Sequence, residues 1–156
     1  NEISKIDGPC YLRLARVATP DIYDENQKFK FGKGIQIGNG TDATIFATGV
    51  TVNEAIKAKE ELLKRGIDVR VVDIHTIKPI DKDLIVKCAE ETNKLISIED
   101  HNIIGGLGSP ISEVLTEFYP KKLIRLGVKD MFGKSGKAFD LMKFYHITSD
   151  DIINEL

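Results

Sequence analysis

From residue 69 onward two kinds of apolar run alternate along the chain, and this alternation limits the fold more than any other feature. Val69-Arg70-Val71-Val72-Asp73 reads as a strand, after which Leu84, Ile85, Cys88 and Ala89 share one face of a helix that Asp81 can cap. Leu95-Ile96-Ser97-Ile98 is the next strand, Ile111, Val114, Leu115 and Phe118 mark the next helix face, and Leu123-Ile124-Arg125-Leu126 is the last strand. Strands joined by helices need crossovers that return the chain in the same direction. The pattern therefore predicts a mostly parallel sheet covered on both faces.

Upstream, Ile35-Gln36-Ile37-Gly38 and Ala43-Thr44-Ile45-Phe46-Ala47 flank Asn39-Gly40, a dipeptide that tolerates the backbone angles of a tight hairpin. An antiparallel pair is expected there. Val52, Ala55, Ile56, Leu62 and Leu63 then form a helix face, with Lys57, Glu60, Glu61, Lys64 and Arg65 opposite. Thr51 with Glu54 has the spacing of a capping box, and Gly66 is a suitable stop. Two short helices, near 139–144 and 148–154, close the chain, the second capped by Thr148 with Asp151. The expected fold is a three-layer α/β/α sandwich around a mostly parallel five-stranded sheet with one antiparallel strand.

The 156 residues can bury one sizeable core. That core is expected over residues 34–156. Pro9-Cys10-Tyr11-Leu12-Arg13-Leu14-Ala15 reads as a single strand without a local partner, and residues 17–33, with Pro20 and many charges but no steady period, read as a connecting segment. Because the chain begins with Asn1, it reads as a piece of something longer. A formal net charge of −2, with scattered lysines and arginines, leaves no electrostatic footprint for nucleic acid or an anionic membrane. Cys10 and Cys88 have no metal-ligand spacing, and no apolar run is long enough to span a bilayer. A reducing cytoplasm is the expected compartment.

The stretch Glu99-Asp100-His101-Asn102-Ile103-Ile104-Gly105-Gly106-Leu107-Gly108-Ser109-Pro110 reads as a strand-to-helix loop at the carboxyl end of the sheet, where ligands and partner surfaces are met. Gly106-Leu107-Gly108 opens like a dinucleotide fingerprint, but Ile111 stands where the third glycine belongs. A plain turn explains much of it, with Ser109 as helix cap and Pro110 in the first helical position. Glycines so close together at 105, 106 and 108 suggest a contact surface on which another backbone or a ligand packs. His101, beside two acids that can orient it, is the catalytic candidate, and a hydrogen-bonded loop residue is its plain reading. His75 follows another strand end and can approach the same edge, whereas His146 has no acid or cysteine at ligand spacing. No metal site is expected.

In order along the chain, Gly49 with its helix, Gly66-Ile67-Asp68-Val69-Arg70-Val71-Val72-Asp73, Ile77-Lys78-Pro79-Ile80-Asp81, Glu99-Asp100-His101, Gly105-Gly106-Leu107-Gly108-Ser109 and Asp130-Met131-Phe132-Gly133-Lys134-Ser135-Gly136 resemble the C-terminal domain of transketolases. The same domain ends deoxyxylulose-phosphate synthases and the beta subunits of 2-oxo-acid dehydrogenases. Gly8-Pro9-Cys10-Tyr11-Leu12-Arg13-Leu14-Ala15-Arg16 resembles the last strand of the pyrimidine-binding domain, and Tyr145-His146-Ile147-Thr148 the ending of short, split C-terminal subunits. His146 departs from the family's usual glycine.

The resemblance implies transfer of two-carbon ketol units between sugar phosphates. It also implies thiamine diphosphate and a divalent metal such as magnesium, held by pyrophosphate- and pyrimidine-binding domains of a homodimer or split-subunit assembly. This domain would serve assembly through Glu99, Asp100, His101, Gly105, Gly106 and Gly108, without carrying the cofactor, and the isolated fragment would be inactive. Arg16 matches the family arginine that meets the sugar phosphate; a solvated strand-end charge is its plain alternative. A free-standing doubly wound binding domain is the reading from another functional class.

Overall fold

A computed structural model of the chain describes residues 2–156. Five strands, β1 (Ile35–Ile37), β2 (Ala43–Ala47), β3 (Val69–Asp73), β4 (Lys94–Asn102) and β5 (Leu123–Val128), form one sheet in the order β1-β3-β2-β4-β5. β2, β3, β4 and β5 run parallel, and β1 lies antiparallel to β3. The helices are α1 (Thr51–Lys64), α2 (Lys82–Glu91), α3 (Gly108–Phe118), α4 (Ala138–Phe144) and α5 (Ser149–Asn154). The mixed α/β architecture expected from the alternating runs is the one found.

Alternation along β2 sets the layers. Ala43, Ile45 and Ala47 face a core with Val52, Ala55 and Leu62 of α1 and Ile152 of α5, while Phe46 points to the opposite core with Ile85 of α2 and Ile111 and Leu115 of α3. All five residues of β2 and of β3 are buried, as a strand covered on both faces must be. α1 stops where expected: Gly66 has φ +80°, and the N–H groups of Gly66 and Ile67 turn back to the carbonyls of Leu63 and Leu62.

The expected hairpin does not form. β1 pairs with β3, Ile35 opposite Asp73, so the five residues between β1 and β2 pass across the entry of β3. Gly40 is needed for that passage and not for a two-residue turn, since a Cβ there would lie 2.4 Å from the Asp68 carbonyl oxygen. The buried Arg70 ties the passage down, its Nε donating to the Gly40 carbonyl at 2.7 Å and its Nη1 to Glu91 at 2.5 Å. A local turn signal carries no information about which strand will lie alongside.

The capping box expected at the start of α1 also gives way. Thr51 is the first residue of α1 instead of its cap; its hydroxyl donates to Thr48 and lies 2.9 Å from the carbonyl oxygen of Ile98, joining α1 to β4. Glu54 reaches forward, accepting the Ser149 N–H at the start of α5 (3.0 Å) and pairing with Lys57. Asp81 and the Thr148–Asp151 capping box are found as expected.

Residues 9–15 have no strand partner among the described residues, matching the lack of a local partner in the sequence pattern. Residues 17–33 carry no regular element, yet they are pinned at several points. Ile22 packs on the α1 core, Tyr23 donates its hydroxyl to Asp73 (2.8 Å), the Phe29 ring lies edge-on to both Tyr23 and His75, and Lys33 pairs with Asp81.

Candidate functional site

The carboxyl ends of β2, β3 and β4 open on one cleft, lined among others by Thr48, His75, Glu99, Asp100, His101 and Gly106. β2 and β4 are neighbours, and the chain leaves β2 over one face of the sheet through α1 and β4 over the other through α3, the usual place of a crevice in a parallel sheet. The residues that distinguish this edge come from a bulge. Ile98 faces Leu126 and Asn102 faces Val128, so four steps on β4 span two on β5. Glu99, Asp100 and His101 are thereby thrown out of regular alternation. They stand in the last part of β4, not in a loop as expected. Gly127 opposite leaves the room: a Cβ there would lie 2.9 Å from the His101 carbonyl oxygen and 3.1 Å from Glu99 Cγ.

Glu99, 1% exposed, turns inward and accepts the backbone N–H of Leu107 at 2.5 Å and of Gly108 at 3.0 Å. It is the cap of α3, placed where unpaired N–H groups and the helix dipole favour a negative charge. Ser109, the expected cap, instead accepts the Gly105 N–H (2.9 Å), and Pro110 lies in the third helical position. Burial pushes the Glu99 carboxyl up, and the two N–H bonds pull it partly back. Gly106 is the seat for this carboxylate, since a Cβ would stand 1.9 Å from Glu99 Oε2. Gly108 is similarly filled by its own chain, with Arg125 Cδ at 2.6 Å from a Cβ position, whereas Gly105 faces open space at φ +74°.

Asp100 turns outward to a different partner. Arg13 Nη1 and Nη2 donate to its two carboxylate oxygens, each at 3.0 Å, and Nη2 also reaches the Asp100 carbonyl at 3.3 Å. This fork-to-fork pair holds the Arg13 guanidinium above its usual range: the hydrogen bond to Asp100 outweighs the opposing effect of burial. His101 is exposed, and its Nδ1 lies 2.9 Å from the Asn102 carbonyl oxygen. Neither acid orients it, contrary to expectation, since Glu99 is committed to α3 and Asp100 to Arg13.

Arg16 lines a groove beside Arg13 and Asp100. Of the five arginines in the sequence, Arg13, Arg65, Arg70 and Arg125 bond to their own chain; among the described residues Arg16 alone has no hydrogen bond or ion pair. His75 reaches the cleft under Phe29, with Nδ1 3.0 Å from the Thr76 hydroxyl. His146 stands apart at the end of α4, in a left-handed conformation (φ 56°), 3.1 Å from Asp151. No group of three or more His, Cys, Asp or Glu side chains is placed to hold a metal among the described residues. The Arg13–Asp100 contact has no sequence signal, because its partners lie 87 positions apart.

Comparison with known proteins gives this geometry a context. The family described as Transketolase, C-terminal domain, matches residues 32–152. The chain is 40% identical over 147 residues to a 6-deoxy-6-sulfo-D-fructose transketolase subunit of a Clostridium species, covering 94% of this chain and 46% of the relative. It is 39% identical over 146 residues to an apulose-4-phosphate transketolase subunit of Phocaeicola vulgatus, covering 92% and 46%. A solved split-gene transketolase, an inactive beta4 tetramer, superposes with a TM-score of 0.92 at 38% identity, covering 97% of this chain and 50% of that one. The chain thus spans about half the length of these relatives.

Proposed function

Because the chain belongs to the transketolase C-terminal domain family, we propose that it works as the C-terminal section of an enzyme that moves two-carbon ketol units between sugar phosphates. Its own part is assembly, together with one contact to the sugar phosphate through Arg16. The observation that carries this reading is the free guanidinium of Arg16, alone among the arginines in having no partner within the described chain. A planar cation with five donors suits a tetrahedral oxyanion. Two relatives bear names with a phosphate or sulfo group on the sugar, which is the chemistry such a cation would meet.

Thiamine diphosphate and its magnesium fit poorly here. Glu99 already caps α3 and Asp100 already holds Arg13, so the acids at this edge have no free oxygen set for a metal. Pyrophosphate- and pyrimidine-binding domains would supply that site, with residues 1–16 contributing the terminal strand of the latter and residues 17–33 linking it to the domain at 34–156. Relatives named as transketolase subunits support a split-subunit assembly, and the exposed His101, Ile104 and Gly105 form the rim that a partner would cover. Two free thiols and the absence of a helix long and apolar enough to cross a membrane among the described residues are compatible with the cytoplasm.

In the complete enzyme, Arg16→Ala should raise the KM for a phosphorylated acceptor roughly ten- to a hundredfold, the worth of a charged hydrogen-bond pair. An unchanged KM refutes the phosphate contact. Calorimetry of this chain alone with thiamine diphosphate and magnesium should give no micromolar binding; such binding would overturn the division of labour between domains.

A further inference from the structure

The stretch that joins Arg16 to the sheet domain is held unevenly. Residues 17–21 are exposed and, among the described residues, make no hydrogen bond or ion pair. From Ile22 onward the same stretch is fastened across the carboxyl end of β3. Ile22 packs on the α1 core, and the Tyr23 hydroxyl donates to Asp73 at 2.8 Å. The Phe29 ring stands edge-on to both Tyr23 and His75, with each pair of ring centroids 5.3 Å apart. Beyond it, Lys33 and the Gly34 N–H both meet Asp81, which fixes the far end.

The fastening is opposed by what it covers. Asp73 is 6% exposed, and burial keeps its carboxyl above the ordinary carboxylate range in spite of the Tyr23 bond. His75 Nε2 is buried without a hydrogen-bond partner, since only Nδ1 meets the Thr76 hydroxyl. A desolvated acid and an unpaired nitrogen both gain when solvent reaches them. Phe29, which lies against His75, is itself 44% exposed, so its own burial holds it down only in part.

We propose that residues 22–32 are a strap of the sheet domain, latched by Tyr23 on Asp73 and by Phe29 on His75, which shortens the free joint to residues 17–21 and lengthens it on opening. Latched, the joint at 17–21 reaches at most about 18 Å; with the strap lifted as far as Lys33, the stretch 17–32 reaches about 55 Å. The latch therefore decides how far the segment ending at Arg16 can stand from the carboxyl edge of β3. Closed, it keeps the preceding domain beside the cleft rim while subunits assemble. That bearing on assembly rests on the reading above, in which residues 1–16 complete another domain's sheet. The latch itself lies wholly between Ile22 and Asp81.

Trypsin reads the latch in this chain. Arg16 borders the joint, Lys28 and Lys30 lie on the strap, and all three are exposed. In the wild type, fragments starting at Val17 should form roughly tenfold faster than those starting at Phe29 or Phe31, because the strap has to open before it is cut. Tyr23→Phe should speed the two strap cuts by about ten- to a hundredfold, the worth of a hydrogen bond to a charged group. Cuts after Lys57 and Lys64 of α1 should keep their rates. Phe29→Ala, which removes only the aromatic cover, should speed the same two strap cuts. Asp73→Asn, still able to accept from Tyr23, should leave them slow.

Wild-type cuts after Lys28 or Lys30 as fast as the cut after Arg16 overturn the proposal. Strap cuts that keep the wild-type rate in Tyr23→Phe and Phe29→Ala also overturn it. So do α1 cuts that quicken in step with them, since those mark general unfolding. No sugar phosphate enters this experiment, so its failure leaves the Arg16 contact standing, and an unchanged KM in Arg16→Ala leaves the latch standing.

Discussion

Gly106→Ala tests whether the glycines of the 105–108 stretch answer to the protein's own interior. The new Cβ would fall 1.9 Å from Glu99 Oε2 and 2.5 Å from the Asn102 carbonyl oxygen, so the carboxylate has to leave its seat. Leaving breaks two charge-assisted bonds, to Leu107 and Gly108, and strands two buried N–H groups. Each such bond is worth about 1.5–3 kcal/mol. Burial already works against the ionised carboxyl, so the net loss should be nearer ~3 kcal/mol than the sum. For a chain of this length that lowers the melting temperature by roughly 6–12 °C. The decisive assay is a double-mutant cycle by urea denaturation. In a Glu99→Ala background the main obstruction is gone, and Gly106→Ala should cost about 1–2 kcal/mol less than in the wild type. Additivity to within ~0.5 kcal/mol would refute the account, because the two positions would then not share one cause.

Two further outcomes follow from buried or strained groups. Asp73 is held above the ordinary carboxylate range by burial, partly offset by the Tyr23 hydrogen bond, so between the unfolded value and the raised native one the folded chain binds more protons and stability falls as pH rises. Asp73→Asn, which can still accept from Tyr23, should remove this slope, and its advantage over the wild type should shrink as pH is lowered from 7 towards 4 in urea titrations; a parallel pH dependence in both proteins refutes it. His146 sits at φ 56° and bonds Asp151. His146→Gly should be more stable than His146→Ala by about 1 kcal/mol, the cost of a Cβ in a left-handed conformation, and equal melting points would show that the helix end relaxes instead.

Much of this fold is legible because its signals are periodic and local. The faces of α1, α2 and α3 and the runs of β3 and β4 repeat the spacing that buries them, and Thr148 and Asp151, three residues apart, close the start of α5 between them. What escapes is whatever depends on who lies alongside. Asn39-Gly40 announces a turn, yet β3, arriving thirty residues later, takes the place beside β1. Ser109 has the right chemistry to cap α3, but Glu99, from the preceding strand, fills the position with both carboxyl oxygens and two bonds. Of the site residues, Glu99, Asp100, His101 and Gly106 do share the cleft edge, while their roles diverge once the bulge turns them to different sides.

The strand order also bears on how the chain becomes a sheet during synthesis. β1 and β2 emerge first and are near in sequence, yet neither is the other's neighbour. β1 has to wait, unpaired, until β3 has been made and carried back over α1, because only then does Asp73 stand opposite Ile35. The first stable nucleus available to a growing chain is therefore β2 with α1 and β3. The three-residue β1 is a late addition that seals an edge already formed, and its brevity keeps the waiting strand from offering a long adhesive template to other nascent chains.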